Sequence, residues 1–166
     1  MAVIRFASKN DIFLISKLAY EIWPKTYLNI LSTKQINFML NDMYSHENLL
    51  AQFNNGVEFL MVEIQNNGVG FASYSLSDSG TSVYKIHKLY LLPAYQGKGL
   101  GNQIIQFIEG DSGLKNGKFL ELNVNRNNPA VAFYLKNGFE IIREINIPYH
   151  QFTLNDYVMR KAVKAS

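Results

Sequence analysis

The 166-residue chain contains no cysteine, only three histidines and only four prolines. The absence of cysteine excludes disulfides, thiolate nucleophiles and cysteine-based zinc sites. His46, His87 and His150 are far apart in the sequence and show no H-x-x-x-H pairing, so no metal site is predicted.

Long hydrophobic runs and a concentrated charge are also missing. No stretch approaches the roughly 18 apolar residues of a membrane span, and the first residues lack the features of a signal peptide. The net charge of +3 is scattered, with one small basic cluster at Arg160, Lys161 and Lys164. We therefore expect a cytoplasmic protein that binds neither membranes nor nucleic acids. With 48% hydrophobic residues, the chain should form a single domain over residues 1–166.

The first third of the chain is mostly helical in pattern. Residues 3–6 read as a strand, and Ser8 or Asn10-Asp11 can cap a following helix that Trp23-Pro24 should end. Ser32 and Ser45 are expected to cap two further helices.

Strand patterns dominate the rest of the chain. A hairpin is predicted at 58–76, with its turn at Asn66-Asn67-Gly68. The remaining predicted elements are a strand at 82–92, a helix at 100–109, a strand at 118–124, a helix at 129–136 stopped by Gly138, and strands at 139–145 and 152–160. This βααα-βββ-αβ-αββ order predicts an α+β or mixed α/β fold.

A glycine-rich turn, Gln96-Gly97-Lys98-Gly99-Leu100-Gly101, joins a predicted strand to a predicted helix. Glycine tolerates positive φ and lets backbone N–H groups converge on an anion, and a helix N-terminus adds to this attraction. The spacing fits neither a P-loop nor a dinucleotide fingerprint. The turn therefore suits a pyrophosphate, with an ordinary loop as the alternative.

Two separate motifs resemble one family. Residues 88–101 are similar to the strand and [Q/R]-x-x-G-x-[G/A] loop of the GCN5-related N-acetyltransferase superfamily. Residues 124–139 are similar to its V-x-x-N-x-x-A-x-x-F-Y-x-K-x-G-F segment, and residues 155–161 to its final strand. The resemblance implies a mostly antiparallel mixed sheet of six or seven strands, four or five flanking helices and a splayed central strand pair.

The resemblance also implies acetyl-CoA as the donor, with no metal. The pantetheine arm would pair with the backbone of Leu89, Tyr90 and Leu91, since unpaired strand groups accept another extended chain. Asn127 would fix the loop or touch the cofactor, unless it caps a helix. The residues that would hold the pyrophosphate are Gln96, Gly97, Lys98, Gly99, Leu100 and Gly101.

Acetyl transfer needs a neutral amine and a proton for the departing thiolate. Family members often place a tyrosine close to the cofactor sulfur, and here Tyr134 takes that place, although it can also simply pack its ring. His87 is the candidate base, because an imidazole can relay a proton at neutral pH. A structural role for His87 is the alternative, and Glu121 is a second candidate base. No base is needed if the acceptor amine reaches the site already deprotonated.

The acceptor is expected to be a primary amine of a small molecule such as a polyamine or amino acid, acetylated directly in a ternary complex. Alternatives are a peptide or protein amine, or a non-catalytic acyl-CoA sensor. Aromatic residues of the first helices, Trp23 and Tyr27 above all, are candidates for the acceptor's walls, with a core role as the alternative; the others are Tyr20, Phe38 and Tyr44. Family members often dimerise through C-terminal strands, so a homodimer is possible.

Overall fold

The computed structural model describes residues 1–78 and 80–164. Its strands are β1 (Ala2–Phe6), β2 (Glu58–Ile64), β3 (Asn67–Asp78), β4 (Val83–Leu91), β5 (Phe119–Asn125), β6 (Glu140–Tyr149) and β7 (Phe152–Ala162). Its α-helices are α1 (Ile12–Tyr27), α2 (Thr33–Tyr44), α3 (His46–Asn54), α4 (Leu100–Leu114) and α5 (Ala130–Lys136). Short 3-10 turns occupy Lys9–Asp11 and Pro93–Tyr95.

The strands form one seven-stranded mixed sheet in the order β1-β2-β3-β4-β5-β7-β6. β4 and β5 run parallel, whereas β5 pairs with β7 and β7 with β6 in antiparallel fashion. The parallel pairing ends at Ile86 and Leu122, and both strands continue beyond it, as the resemblance implied for the central pair. The predicted fold class and element order are confirmed.

The starts of α2 and α3 follow the predicted capping chemistry, whereas Ser8 caps the 3-10 turn at Lys9–Asp11 and the N-cap residue of α1, Asp11, forms no side-chain cap bond. The Ser32 hydroxyl accepts a hydrogen bond from the Gln35 N–H, and the Ser45 hydroxyl accepts one from the Asn48 N–H. Each bond satisfies one of the N–H groups that a helix start leaves without an intrahelical acceptor.

The predicted end of α1 is wrong, because Pro24 lies inside the helix, which continues to Tyr27. Proline cannot donate the backbone hydrogen bond to the carbonyl four residues earlier. The last turn is nevertheless held by burial, since Trp23 is 3% exposed and Tyr27 is 9% exposed. Tertiary packing therefore outweighs the local cost of the proline.

The predicted β2–β3 hairpin is confirmed, but its turn was placed too late in the sequence. Ile64 pairs with Asn67, and the two residues between them, Gln65 and Asn66, have φ of 51° and 65°. Two positive φ values are typical of a type I′ turn. A Cβ on Gly68 would lie 2.8 Å from Leu14 Cδ2. Gly68 thus permits the close approach of α1 rather than forming the turn.

The chain divides into two compact units. The first comprises Met1–Ser75 and Lys88–Ile104, and the second comprises Leu76–His87 and Ile105–Ser166. In the first unit, α1, α2 and α3 pack against one another, and an Arg5 guanidinium joins β1 to Asp11 and Glu63 at 2.9 and 2.8 Å. In the second unit, buried residues of β5 alternate strictly with half-buried ones.

Candidate functional site

The glycine turn of the first unit has the backbone that an anion cradle requires. Gly97 and Gly99 have φ of 74° and 83°, and a Cβ on either would meet nothing within 4 Å. Glycine is therefore required at both positions by the backbone conformation rather than by a lack of space. Leu100 begins α4 and is buried, so the turn is anchored to the helix whose N-terminus it precedes.

Gln96 ties this turn to the strand before it. Its side-chain amide donates to the Leu91 carbonyl at 3.0 Å, and its backbone N–H donates to the Pro93 carbonyl at 3.2 Å. Lys98 Nζ lies over the Tyr95 ring, 5.6 Å from its centroid. Gln96 thus positions the turn, whereas Lys98 supplies a positive charge beside it.

The segment Leu89–Leu91 is backed closely by β3. A Cβ on Gly70 would lie 2.6 Å from the Tyr90 carbonyl oxygen, and the Leu92 N–H donates to the Val69 carbonyl at 2.9 Å. Gly70 therefore allows the strands to approach, and it fixes the position of the backbone that was predicted to pair with pantetheine.

Trp23 and Tyr27 belong to a buried aromatic cluster of the first unit. The Trp23 ring centroid lies 4.6 Å from that of Tyr27, 5.7 Å from that of Tyr44 and 5.8 Å from that of Tyr90. The Tyr27 and Tyr90 hydroxyls are 2.8 Å apart, and the Trp23 indole N–H donates to the Tyr44 hydroxyl at 3.2 Å. These residues hold α1, α2 and β4 together, and a role in binding the acceptor stays a prediction.

Lys88 is a functional candidate that the sequence pattern did not single out. Its ammonium donates to Gln52 Oε1 at 2.6 Å and lies 5.4 and 5.8 Å from the ring centroids of Tyr44 and Phe59. Burial lowers the pKa of Lys88 from 10.5 to about 8.

In the second unit, Tyr134 is 8% exposed near the end of α5. Its ring meets those of Phe139 and Phe133 at centroid distances of 5.6 and 5.2 Å. The Phe139 N–H donates to the Tyr134 carbonyl at 3.1 Å, and Gly138 has φ of 88°, which confirms the predicted helix stop. The Tyr134 ring thus packs between two other rings, and its role as a proton donor stays a prediction.

Asn127 is exposed, and its backbone N–H donates to Asn125 Oδ1 at 2.9 Å. The side chain that bonds to the start of α5 is instead that of Asn128, whose Oδ1 accepts from the Ala130 N–H at 2.9 Å. This arrangement leaves the side chain of Asn127 outside the cap and compatible with the predicted cofactor contact.

The two candidate bases differ in their surroundings. His87 is exposed on β4. The Glu121 carboxylate accepts two hydrogen bonds from Arg160, at 2.7 and 3.1 Å, and lies 3.9 Å from Arg143. The Glu121 carboxylate is therefore engaged by Arg160, and the choice between His87 and Glu121 as the base stays a prediction.

Arg126 and Asp156 are further residues that sequence reasoning missed. The Arg126 guanidinium donates to the backbone carbonyls of Ile145 and Asp156 at 3.1 and 3.2 Å and to Asn146 Oδ1 at 2.9 Å. It fastens the ends of β5, β6 and β7 together. Asp156 is a carboxylate inside a strand, and that unusual position was the available signal.

Two further results concern the described part of the chain. Among residues 1–78 and 80–164, no group of three His, Asp or Glu side chains is placed to hold a metal ion. None of the described helices combines the length and hydropathy needed to cross a bilayer.

Strand β4, the glycine turn and helix α4 follow one another, and the parallel pairing of β4 with β5 stops before either strand ends. These features define an acyl-CoA N-acyltransferase fold. A family model described as an acetyltransferase (GNAT) domain matches residues 55–141. A spermidine N(1)-acetyltransferase of Thermoplasma acidophilum is 30% identical over 146 residues, covering 83% of this chain and 88% of that protein.

Solved structures agree with this assignment. The PaiA N-acetyltransferase of Thermoplasma acidophilum in complex with coenzyme A has a TM-score of 0.85 and 26% identity, over 98% of this chain and 99% of that one. A GCN5-related N-acetyltransferase from Rhodopseudomonas palustris has a TM-score of 0.84 and 20% identity, over 98% and 96%. The chain belongs to the GNAT family of N-acetyltransferases.

Proposed function

We propose that residues 1–166 act as one N-acetyltransferase domain that moves the acetyl group of acetyl-CoA directly to a primary amine of a small molecule. The observation that supports acetyl-CoA as the donor is the turn before the N-terminus of α4, in which Gly97 and Gly99 have positive φ values. The relative named as a spermidine acetyltransferase supports a polyamine-type acceptor.

The donor's thioester supplies the acetyl group and the thiol leaving group. The backbone N–H groups of residues 97–101 and the Lys98 ammonium would balance the charge of its pyrophosphate. The backbone of Leu89–Leu91 would align the pantetheine arm, because Gly70 lets β3 support that segment from behind.

Two side chains of the second unit would move protons. The acceptor nitrogen forms a bond to the acetyl carbon while the carbon–sulfur bond breaks, so the nitrogen loses a proton and the sulfur gains one. His87, directly or through water, would take the proton from nitrogen. Tyr134 would donate to sulfur, and the rings of Phe133 and Phe139 hold its phenol in place.

The test is release of free thiol from acetyl-CoA by the purified protein across a panel of polyamines, amino acids, aminoglycosides and peptides. Mass spectrometry should show one added acetyl group on a small amine. Acetylation of peptides alone would contradict the proposed acceptor, and cofactor binding without turnover of any amine would contradict the proposed reaction. Association of two copies stays a prediction, which the solution mass would decide.

A further inference from the structure

Asp156 places a carboxylate at a sheltered position on a strand. It lies on β7 and is 9% exposed. Among the residues that the structure describes, no donor forms a hydrogen bond or ion pair with its carboxylate oxygens. Other sheltered carboxylates are paired: Glu109 with Lys161 at 3.0 Å, and Glu121 with Arg160 at 2.7 Å.

The positively charged side chains near Asp156, those of Arg126 and Lys85, do not contact its carboxylate. The Arg126 guanidinium is directed at backbone carbonyls, including that of Asp156 itself, rather than at the carboxylate. Arg126 and Lys85 act on the carboxylate only through their charge, and burial raises the pKa of Asp156 in spite of them. Partial desolvation of a carboxylate is unfavourable, so a bound cation would offset the effect that raises the pKa of Asp156.

The register of the sheet places Asp156 on a polar face of the second unit. Its partner on β5 is Asn125, and alternation puts Asn123 and Glu121 on the same face. Glu121 is in turn the partner of Lys85 on β4, so His87 shares this face as well. The opposite face of β5 is apolar, with Leu120, Leu122 and Val124 buried.

The amide groups on this face can complete a cation site. Asn123 and Asn125 are half-buried, and Asn125 Oδ1 already accepts a hydrogen bond from the Asn127 N–H. An ammonium bound at Asp156 would pair with its carboxylate. The side chain of Asn123, on the same face, offers an amide oxygen as a further acceptor. Strands of a sheet are about 4.8 Å apart, so β4 and β7 are separated by roughly 10 Å across β5.

We propose that Asp156 binds a second, protonated nitrogen of the acceptor, which makes the acceptor a diamine or polyamine whose reactive nitrogen lies toward His87. This inference rests on the proposed function. The reactive nitrogen must be neutral to attack, whereas a second nitrogen several carbons away keeps its charge and needs a counter-ion. The Asp156 carboxylate has no partner among the described residues, and one carboxylate suits one ammonium.

Kinetics of Asp156→Asn test this assignment, with 1,4-diaminobutane and 1-aminobutane compared at saturating acetyl-CoA. We expect kcat/KM for the diamine to fall at least tenfold, about 1.4 kcal/mol, through KM. The kcat/KM for the monoamine and the KM for acetyl-CoA should stay within about twofold, as such a loss is specific to the second nitrogen. Asp111→Asn, in the same unit, is the matched control and should change neither amine.

Stability provides a readout that separates binding from a structural role. Asp156→Asn should unfold at the same or a higher urea concentration than the wild type, because it removes a buried charge without breaking a bond. Lys85→Met should lower the KM for the diamine, since it removes a competing positive charge. An equal effect of Asp156→Asn on both amines, an unchanged diamine KM, or a marked loss of stability would overturn the proposal.

Calorimetric binding of 1,4-diaminobutane in the presence of coenzyme A separates this inference from the proposed function. If the wild type binds the diamine and Asp156→Asn does not, the ammonium site stands even where no small amine is acetylated. If the wild type acetylates small amines while both proteins bind the diamine equally, the proposed function stands and the assignment of Asp156 fails.

Discussion

Replacing Lys88 with methionine should stabilise the protein at neutral pH, because the lysine ammonium is buried without a carboxylate partner among the described residues. Its contacts are Gln52 Oε1 at 2.6 Å and the rings of Tyr44 and Phe59. Methionine keeps most of the apolar stem and carries no charge.

The magnitude follows from the pKa. The change from 10.5 to about 8 corresponds to about 3.5 kcal/mol of unfavourable free energy for the charged form, at about 1.4 kcal/mol per pKa unit. The contacts with Gln52 and the two rings return about 1–2 kcal/mol, which the substitution gives up. We therefore expect Lys88→Met to raise the free energy of unfolding at pH 7 by about 1.5–2.5 kcal/mol.

The pH dependence of the free energy of unfolding tests the role of the Lys88 charge more specifically than its value at one pH. The folded pKa of Lys88 lies below the unfolded one, so between about pH 8 and 10.5 the unfolded chain holds the proton that the folded chain has lost. The wild-type free energy of unfolding therefore rises with pH in this window, by about 2 kcal/mol from pH 7 to about pH 9.5 for this group. The advantage of Lys88→Met should shrink by the same amount.

Urea unfolding at several pH values, followed by circular dichroism and by fluorescence of the single tryptophan, Trp23, measures this difference. Lys17→Met, which removes an exposed lysine of α1, is the matched control and should show no pH-dependent difference from the wild type. A variant that is less stable than the wild type by the same amount at every pH would refute the electrostatic reasoning and show that Lys88 acts through its contacts alone.

Four further substitutions test the candidate site. Gly99→Ala should weaken acetyl-CoA binding in calorimetry about tenfold, because alanine at φ of 83° costs about 1–2 kcal/mol; unchanged affinity would contradict the anion cradle. Gly70→Ala should lower the free energy of unfolding by about 1–3 kcal/mol, since its Cβ would meet the backbone beside Leu91 at 2.6 Å; a neutral result in urea unfolding would show that β4 can shift. Tyr134→Phe should lower kcat at saturating substrates by about tenfold or more, and equal turnover would dismiss its role as an acid. His87→Ala should remove one ionisation from the pH dependence of kcat/KM, and retention of the wild-type profile would exclude His87 as the base.

The glycine turn was predictable because its signals are local. Positive φ at Gly97 and Gly99 is a property of the backbone at those residues, and the change from strand to helix around them is visible in the hydrophobic period. The caps at Ser32 and Ser45 were predictable for the same reason, as each bond spans only three residues. The resemblance to acetyltransferases depended on these local features.

At two positions, tertiary packing determined a local structure that differs from the one the sequence pattern predicts. Pro24 predicts a helix end, but the burial of Trp23 and Tyr27 extends α1 by another turn. Gly68 predicts a turn, but α1 requires that position to lack a Cβ, and the turn lies at Gln65 and Asn66. These differences depend on residues that are distant in sequence, so no local pattern contains them.

The sequence by itself determined the order of the elements, the glycine turn and the family, because each depends on near neighbours along the chain. Only the tertiary structure decided which charged groups have partners. Arg160 holds Glu121, Gln52 and two rings surround Lys88, and the described residues leave the carboxylate of Asp156 without a partner. The physical reason is that burial and ion pairing depend on distances across the sheet, which join residues that are far apart in the sequence.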